Sequence, residues 1–157
     1  MLVKIYKIQD NDEVIFYLGK LLEKIITKQK IGILCNEKNI DEIDKRLWTF
    51  SKSAFLPHSI QGQGYEKRQP IILYQISNDI DCNFVCVLSQ EDVLMLADFF
   101  RRKEQKAQSG DTKTIIFFSN EKNDFNGLIT HLRNNFKAEI ELFVKTKSSW
   151  EKQNLLY

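Results

Sequence analysis

Ile31-Gly32-Ile33-Leu34-Cys35 (IGILC) is the stretch on which the fold turns. It is an unbroken apolar run, too short for a buried helix and without polar alternation. Such a run predicts a strand covered on both faces, the kind found inside parallel sheets. Thr114 to Phe118 (TIIFF) has the same character, and Ile71 to Ile76 and Phe84 to Leu88 add two short strands around a Ser77-Asn78-Asp79 turn. Between these runs the period becomes helical. Val14 to Lys28 follows Asp10-Asn11-Asp12, a turn, and spaces Phe16-Tyr17, Leu21 and Ile25 as one helix face does. Ile40 to Trp48 places Ile43, Leu47 and Trp48 together, with Asn39 as its cap. Glu91 to Gln108 has an apolar first half, Ser89 as a cap and a stop at Ser109-Gly110-Asp111. In Asp124 to Lys137, Phe125, Leu128, Ile129, Leu132 and Phe136 stand at i, i+3, i+4, i+7 and i+11. Leu2 to Ile8 opens the chain as a strand. Ala138 to Val144 alternates Ile140, Leu142 and Val144 against Glu139 and Glu141, which predicts a half-exposed edge strand. Strands alternating with helices predict one α/β domain over residues 1–157: a single doubly wound, Rossmann-like, mostly parallel sheet with helices on both faces.

Composition narrows the function. At 157 residues the chain is one domain in length and large enough to bury a core without staples. Lys and Arg number 23 against 21 Asp and Glu, so the net charge of +2 lacks the basic excess of a dedicated nucleic-acid binder. Cys35, Cys82 and Cys86 are odd in number and lie in apolar runs, which predicts buried, reduced thiols in the cytoplasm. Cys82 and Cys86 are spaced wrongly for a zinc pair, and only His58 and His131 are available as further ligands, so no metal is expected. No run is long enough to cross a membrane, and Met1-Leu2-Val3-Lys4 lacks an apolar signal region.

The motifs of catalysis do not appear. Gly62-Gln63-Gly64 lacks the third glycine of a dinucleotide fingerprint and predicts a turn needing positive φ. No Ser or Cys pairs with His58 or His131, and the Asp10/Asp12/Glu13 and Asp79/Asp81 groups read as turns. The chain reads as a binding domain with no catalytic residue and no cofactor. Two features remain. Leu47-Trp48-Thr49-Phe50, followed by Phe55-Leu56-Pro57-His58, concentrates large apolar side chains at a helix end and in the long Thr49 to Pro70 loop, as an interface anchor would. Arg133 and Lys137 are i, i+4 neighbours beside Phe136, a basic face suited to an apolar-plus-acidic peptide. The alternative is an α/β nucleotide- or nucleic-acid-binding protein contacting phosphates directly through Lys67-Arg68 and Arg101-Arg102-Lys103.

The segment RLWTFSKSAFLPHSIQGQG (Arg46 to Gly64) resembles the hallmark of the chi subunit of bacterial DNA polymerase III. In that family a Leu-Trp pair ends a helix. A Phe follows seven residues later, then an apolar residue, Pro-His, three residues and Gly-x-Gly. Here these are Trp48, Phe55, Leu56, Pro57, His58, Gly62 and Gly64. The resemblance implies a non-catalytic accessory subunit of the clamp-loader assembly, bridging the holoenzyme to single-stranded-DNA-binding protein in DNA replication. It implies that Trp48, Phe55 and Leu56 face the psi subunit or another clamp-loader component, and that Pro57, His58, Gly62 and Gly64 shape the motif loop. It implies a separate groove for the acidic C-terminal tail of single-stranded-DNA-binding protein, with Arg133 on the tail and Phe136-Lys137 beside it. The floor of that groove is expected at Phe118 and Phe136. A further family Lys, one turn before Arg133, falls here near Ile129. DNA would be reached only indirectly, and no membrane is involved.

Overall fold

The short apolar runs become the middle of one sheet. In the computed structural model, which describes residues 1–8, 14–51, 55–75, 80–106, 112–120, 125–147 and 149–155, the elements in chain order are β1 (Leu2–Lys7), α1 (Val14–Ile25), β2 (Ile31–Leu34), α2 (Ile40–Thr49), β3 (His58–Ile60), β4 (Ile71–Tyr74), β5 (Phe84–Val87), α3 (Gln90–Lys106), β6 (Thr114–Ser119), α4 (Asn126–Phe136), β7 (Glu139–Lys145) and β8 (Trp150–Gln153). The strands form one eight-stranded sheet in the order β3-β4-β2-β5-β6-β1-β7-β8. Every neighbouring pair is parallel except β7 with β8.

Alternate residues of each strand enter different cores. Val3, Ile5, Val85, Ile115 and Phe117 pack with Leu96 and Phe100 of α3 and Leu128 and Leu132 of α4. Ile31, Ile33, Ile71, Cys86 and Ile116 pack with Leu18 and Leu22 of α1 and Ile43 and Leu47 of α2. Each fully buried side chain of this size contributes about 1.5–3 kcal/mol. β2, β4 and β6 are buried at every position, as continuous apolar runs demand. β1 is central yet alternates: Val3 and Ile5 are buried, while Leu2, Lys4 and Tyr6 are only partly so. The helix layer of α1 and α2 therefore leaves that side of β1 partly open.

Several sequence expectations are corrected. β7 is not the edge strand, because β8 pairs antiparallel along its outer side. Its half-exposure reflects a thinly covered sheet face. WEKQ has one apolar residue, so β8 carries no alternation to read. The Thr49 to Pro70 loop contains β3, a parallel strand too short to show a period. Asn39 makes no capping hydrogen bond. Asn36 does this work, its Oδ1 accepting from the Lys38 and Asn39 N–H groups at 3.0 Å. Ser89 caps α3 as expected, its Oγ accepting from Asp92 N–H at 3.1 Å. The readings of Asp10-Asn11-Asp12, Ser77-Asn78-Asp79 and Ser109-Gly110-Asp111 as turns or stops lie outside the described residues.

Gly32 sits mid-strand because its neighbours occupy the space a side chain would need. A Cβ there would come 2.7 Å from Cys82 Sγ and 3.1 Å from the Tyr74 ring. Gly32→Val should therefore cost about 1–3 kcal/mol in urea unfolding, despite the β-propensity of valine. An unchanged midpoint would show that Tyr74 and Cys82 move aside freely.

Glu141 clips three strands together. Its carboxylate lies 2.6 Å from Lys152 Nζ on β8 and 3.2 Å from Lys4 Nζ on β1. The Lys152 hydrogen bond first, and Lys4 second, hold its pKa below the usual carboxylate range. A depressed carboxyl pKa stabilises the fold above the unfolded-state value and loses that contribution as pH falls through the folded-state value. Wild-type stability should thus drop as pH falls through and below the unfolded carboxylate value of about 4.3, and Glu141→Gln should flatten that slope while costing at most about 1 kcal/mol at neutral pH. Parallel slopes for the two proteins would refute the clip.

Candidate partner-binding surfaces

The motif residues assemble around the end of α2. Trp48 and Phe55 are 53% and 59% exposed, and their ring centroids are 5.1 Å apart. His58, at the start of β3, is buried, with its ring centroid 5.0 Å from that of Trp48. Its Nδ1 lies 2.6 Å from the Leu56 carbonyl, which can only accept, so Nδ1 carries the proton. Its Nε2 faces Asp44 Oδ1 at 3.2 Å but is not aligned for a hydrogen bond. The imidazole is a wedge between strand and helix, holding the Trp48 ring from below. Phe50 rests on Gly19 of α1, where a Cβ would come 2.5 Å from the ring. Gly62 and Gly64 adopt φ of +90° and +86°, the positive-φ turn that their spacing predicts. Both glycine N–H groups donate to the Glu66 carboxylate. That residue's own N–H, then those of the glycines, hold its pKa below the usual range.

Leu56 is corrected. It is fully buried in the α1–α2 core and offers no surface to a partner. Its role is to anchor the segment that carries Phe55 outward. Pro57 follows it at half-burial and leads into β3.

The expected tail groove does not assemble as drawn. Phe118 belongs to the α1–α2 core and stacks on Tyr6 at 5.0 Å, whereas Phe136 packs against the α3–α4 core on the other side of the sheet. Alternation along β6 explains this: Phe117 and Phe118 point to opposite faces, and the apolar run did not say which faced α4. Phe136 is instead a joint between α3 and α4, with the Arg101 guanidinium 5.2 Å from its ring centroid. Lys137 lies just beyond α4 at φ 51°, its N–H donating to the Arg133 carbonyl at 3.1 Å, while Ala138 N–H reaches the Leu132 carbonyl at 3.4 Å. Lys137 is thus a left-handed cap residue, not the next turn of a helical row from Arg133. The Asn126–Ile129–Thr130 side of α4, which Arg133 continues one turn on, does border a cavity of about 440 Å³. Leu142 and Gln153, Asn154 and Leu155 close it. These last residues sit in a tail without periodicity, so nothing in the sequence marked them.

The basic run offered for phosphates is tied into the structure. Arg101 and Arg102 pair with Asp98 at 2.7 and 3.0 Å, and Lys103 Nζ donates to the Ile80 carbonyl at 3.0 Å. Lys67 and Arg68 are exposed. The thiols are poor nucleophiles: burial pushes Cys35 up to about 12 and Cys82 up to about 11, and Cys86 is raised further by the same cause. Among the described residues no three His, Cys, Asp or Glu side chains converge to hold a metal. No described helix is long and apolar enough to cross a membrane.

The family model of the DNA polymerase III chi subunit, HolC, matches residues 3–138, from β1 to the residue after the α4 cap. No curated protein matches the chain. The matched region contains the whole Trp48–Gly64 motif, with its exposed Trp48–Phe55 pair, and Arg133. The chain therefore belongs to the DNA polymerase III chi subunit family, whose members are non-catalytic accessory subunits of that polymerase.

Proposed function

We propose that this chain bridges the polymerase III clamp-loader assembly to single-stranded-DNA-binding protein, through two surfaces on a doubly wound sheet. The fold reading rests on the two cores. α1 and α2 join one, on connections that run toward β3, while α3 and α4 join the other, on connections that run toward β8. The chain acts in the cytoplasm and reaches DNA only through the partner.

The observation that carries the proposal is the Trp48–Phe55 pair. Two large aromatics more than half exposed, held against each other and backed by a buried His58, are ordered before any partner arrives. Binding then costs little side-chain entropy, which is the property of a hot spot. This patch takes the psi subunit or another clamp-loader component. Phe55→Ala or Trp48→Ala should weaken capture of that component by about 2 kcal/mol, roughly 30-fold, with the fold intact. Leu56→Ala should instead lower stability by about 2–5 kcal/mol, since it empties a core site. Undiminished capture by folded Phe55→Ala, measured by quantitative pull-down, would sink the assignment.

The side of α4 that carries Arg133 takes the acidic C-terminal tail of single-stranded-DNA-binding protein. The cavity offers Ile129, Leu142 and Leu155 to an apolar terminal side chain, within a wall otherwise made of the polar Asn126, Thr130, Gln153 and Asn154. The Arg133 guanidinium suits a carboxylate, because its planar fork donates two parallel hydrogen bonds. Lys137, fully at the surface, adds a screened charge worth about 0–1 kcal/mol. Isothermal titration with a tail peptide should show Arg133→Ala weaker than Lys137→Ala, and Arg133→Lys only partly recovered. Equal binding by Arg133→Ala and wild type would remove the tail from this surface.

A further inference from the structure

Phe118, separated from the α4 surface, belongs to a different cavity. A pocket of about 250 Å³ lies on the α1 side of the sheet, beside β1, β7 and β8. Its floor is a row of three rings on neighbouring strands. Tyr6 stacks on Phe118 at 5.0 Å and on Phe143 at 4.9 Å, with interplanar angles of 17° and 13°. Those separations match the spacing of adjacent strands, so the rings stand up from the sheet face to face. Trp150 closes one side, edge-on to Tyr6 at 5.1 Å and to Tyr17 at 5.5 Å. Tyr17 and Leu21 of α1 form the adjoining wall, and Lys20 and Lys24 stand on the same stripe of that helix.

The location has its own logic. β1 and β6 are neighbours, yet the connection after β1 leads to α1 on one face and the connection after β6 leads to α4 on the other. Crevices between such strands, near their carboxyl ends, are the usual ligand sites of open α/β sheets. Tyr6 and Phe118 lie near those ends.

Charge chooses among ligands. Lys24 has no ion-pair partner among the described residues, and Lys20 makes an exposed contact with Glu23 at 3.5 Å, its Nζ also lying 5.8 and 5.9 Å from the Phe16 and Phe50 ring centroids. Lys145 Nζ stands 5.5 Å from the Tyr17 ring centroid, while Glu141 is shared by Lys4 and Lys152. Among the described residues the rim is therefore lysine-rich. The stacked floor rings have used their faces on one another and turn edges to the pocket. Ring edges carry the positive end of the aromatic quadrupole. A nucleobase would find no open ring face on this floor, whereas an apolar side chain flanked by carboxylates fits both the lining and the rim.

We infer that the Tyr6–Phe118–Phe143 pocket is a second docking site, distinct from the α4 surface, that takes an apolar side chain from an acidic segment of a partner protein. The probe is a pentapeptide with two Asp on each side of one Phe and both ends blocked, so that no terminal carboxylate can engage Arg133. The readout is the Trp150 indole signal in a ¹⁵N NMR titration of the full chain, identified with the aid of Trp48→Phe. The Phe peptide should shift Trp150. Exchanging its Phe for Ala should weaken binding about tenfold or more, as loss of a buried ring requires. Lys24→Glu should weaken it about fivefold. Leu21→Glu should abolish it, and Arg133→Ala should leave it unchanged. No Trp150 shift at millimolar peptide, an equal response to the Ala peptide, insensitivity to Lys24→Glu, or the same shift produced by oligothymidylate would each overturn the inference.

Discussion

Two-sided burial of the parallel strands is the constraint from which the rest of this molecule follows. β2, β4 and β6 have no solvent face, so every residue in them must be apolar or small, and every backbone group must find its partner in the sheet. The same rule assigns each side chain to one of two cores by parity. Phe117 and Phe118, adjacent in the chain, serve opposite layers. Where side chains of neighbouring sheet segments crowd together, glycine replaces a side chain, as at Gly32 beneath Tyr74 and Cys82.

The surfaces proposed for partners lie where that covering is incomplete. α1 and α2 lie over one end of the sheet and leave part of β1, β7 and β8 with only partial cover. That is why Tyr6 and Trp150 are half-buried, and why an aromatic pocket remains there. At the end that α2 covers, the motif segment follows that helix, sinks Leu56 into the core, and returns as β3. Two buried points, Leu56 and His58, therefore fix a short segment whose Phe55 has nowhere to go but outward, against Trp48. The exposed patch is a consequence of what is buried beside it.

The same principle explains what the motif residues other than the aromatic pair contribute. Pro57, His58 and the Gly62–Gly64 turn present no reactive atom. They set the path of the backbone, and Glu66 completes the turn by accepting the two glycine N–H groups. An imidazole that donates to the Leu56 carbonyl and supports an indole contributes through its shape and that one hydrogen bond.

Local chemistry was enough to read the α/β alternation, the Ser89 cap, the positive-φ glycines and the aromatic motif, because each depends on residues within one or two turns of one another. Asn36 in place of Asn39, and Lys137 as a left-handed cap, escaped it, since several local geometries suit the same polar residues. Strand order, and with it the partners of each side chain, depends on how long connections cross the sheet, and no local period records that. Hence β8 could take the edge from β7. Hence also the sequence alone places at an interface a Leu56 that the core holds, and pairs Phe118 with Phe136 although a sheet separates them. Periodicity says that a residue is buried or exposed in its own element; which neighbour it meets is settled by long-range packing, where burial against distant chain outweighs local preference.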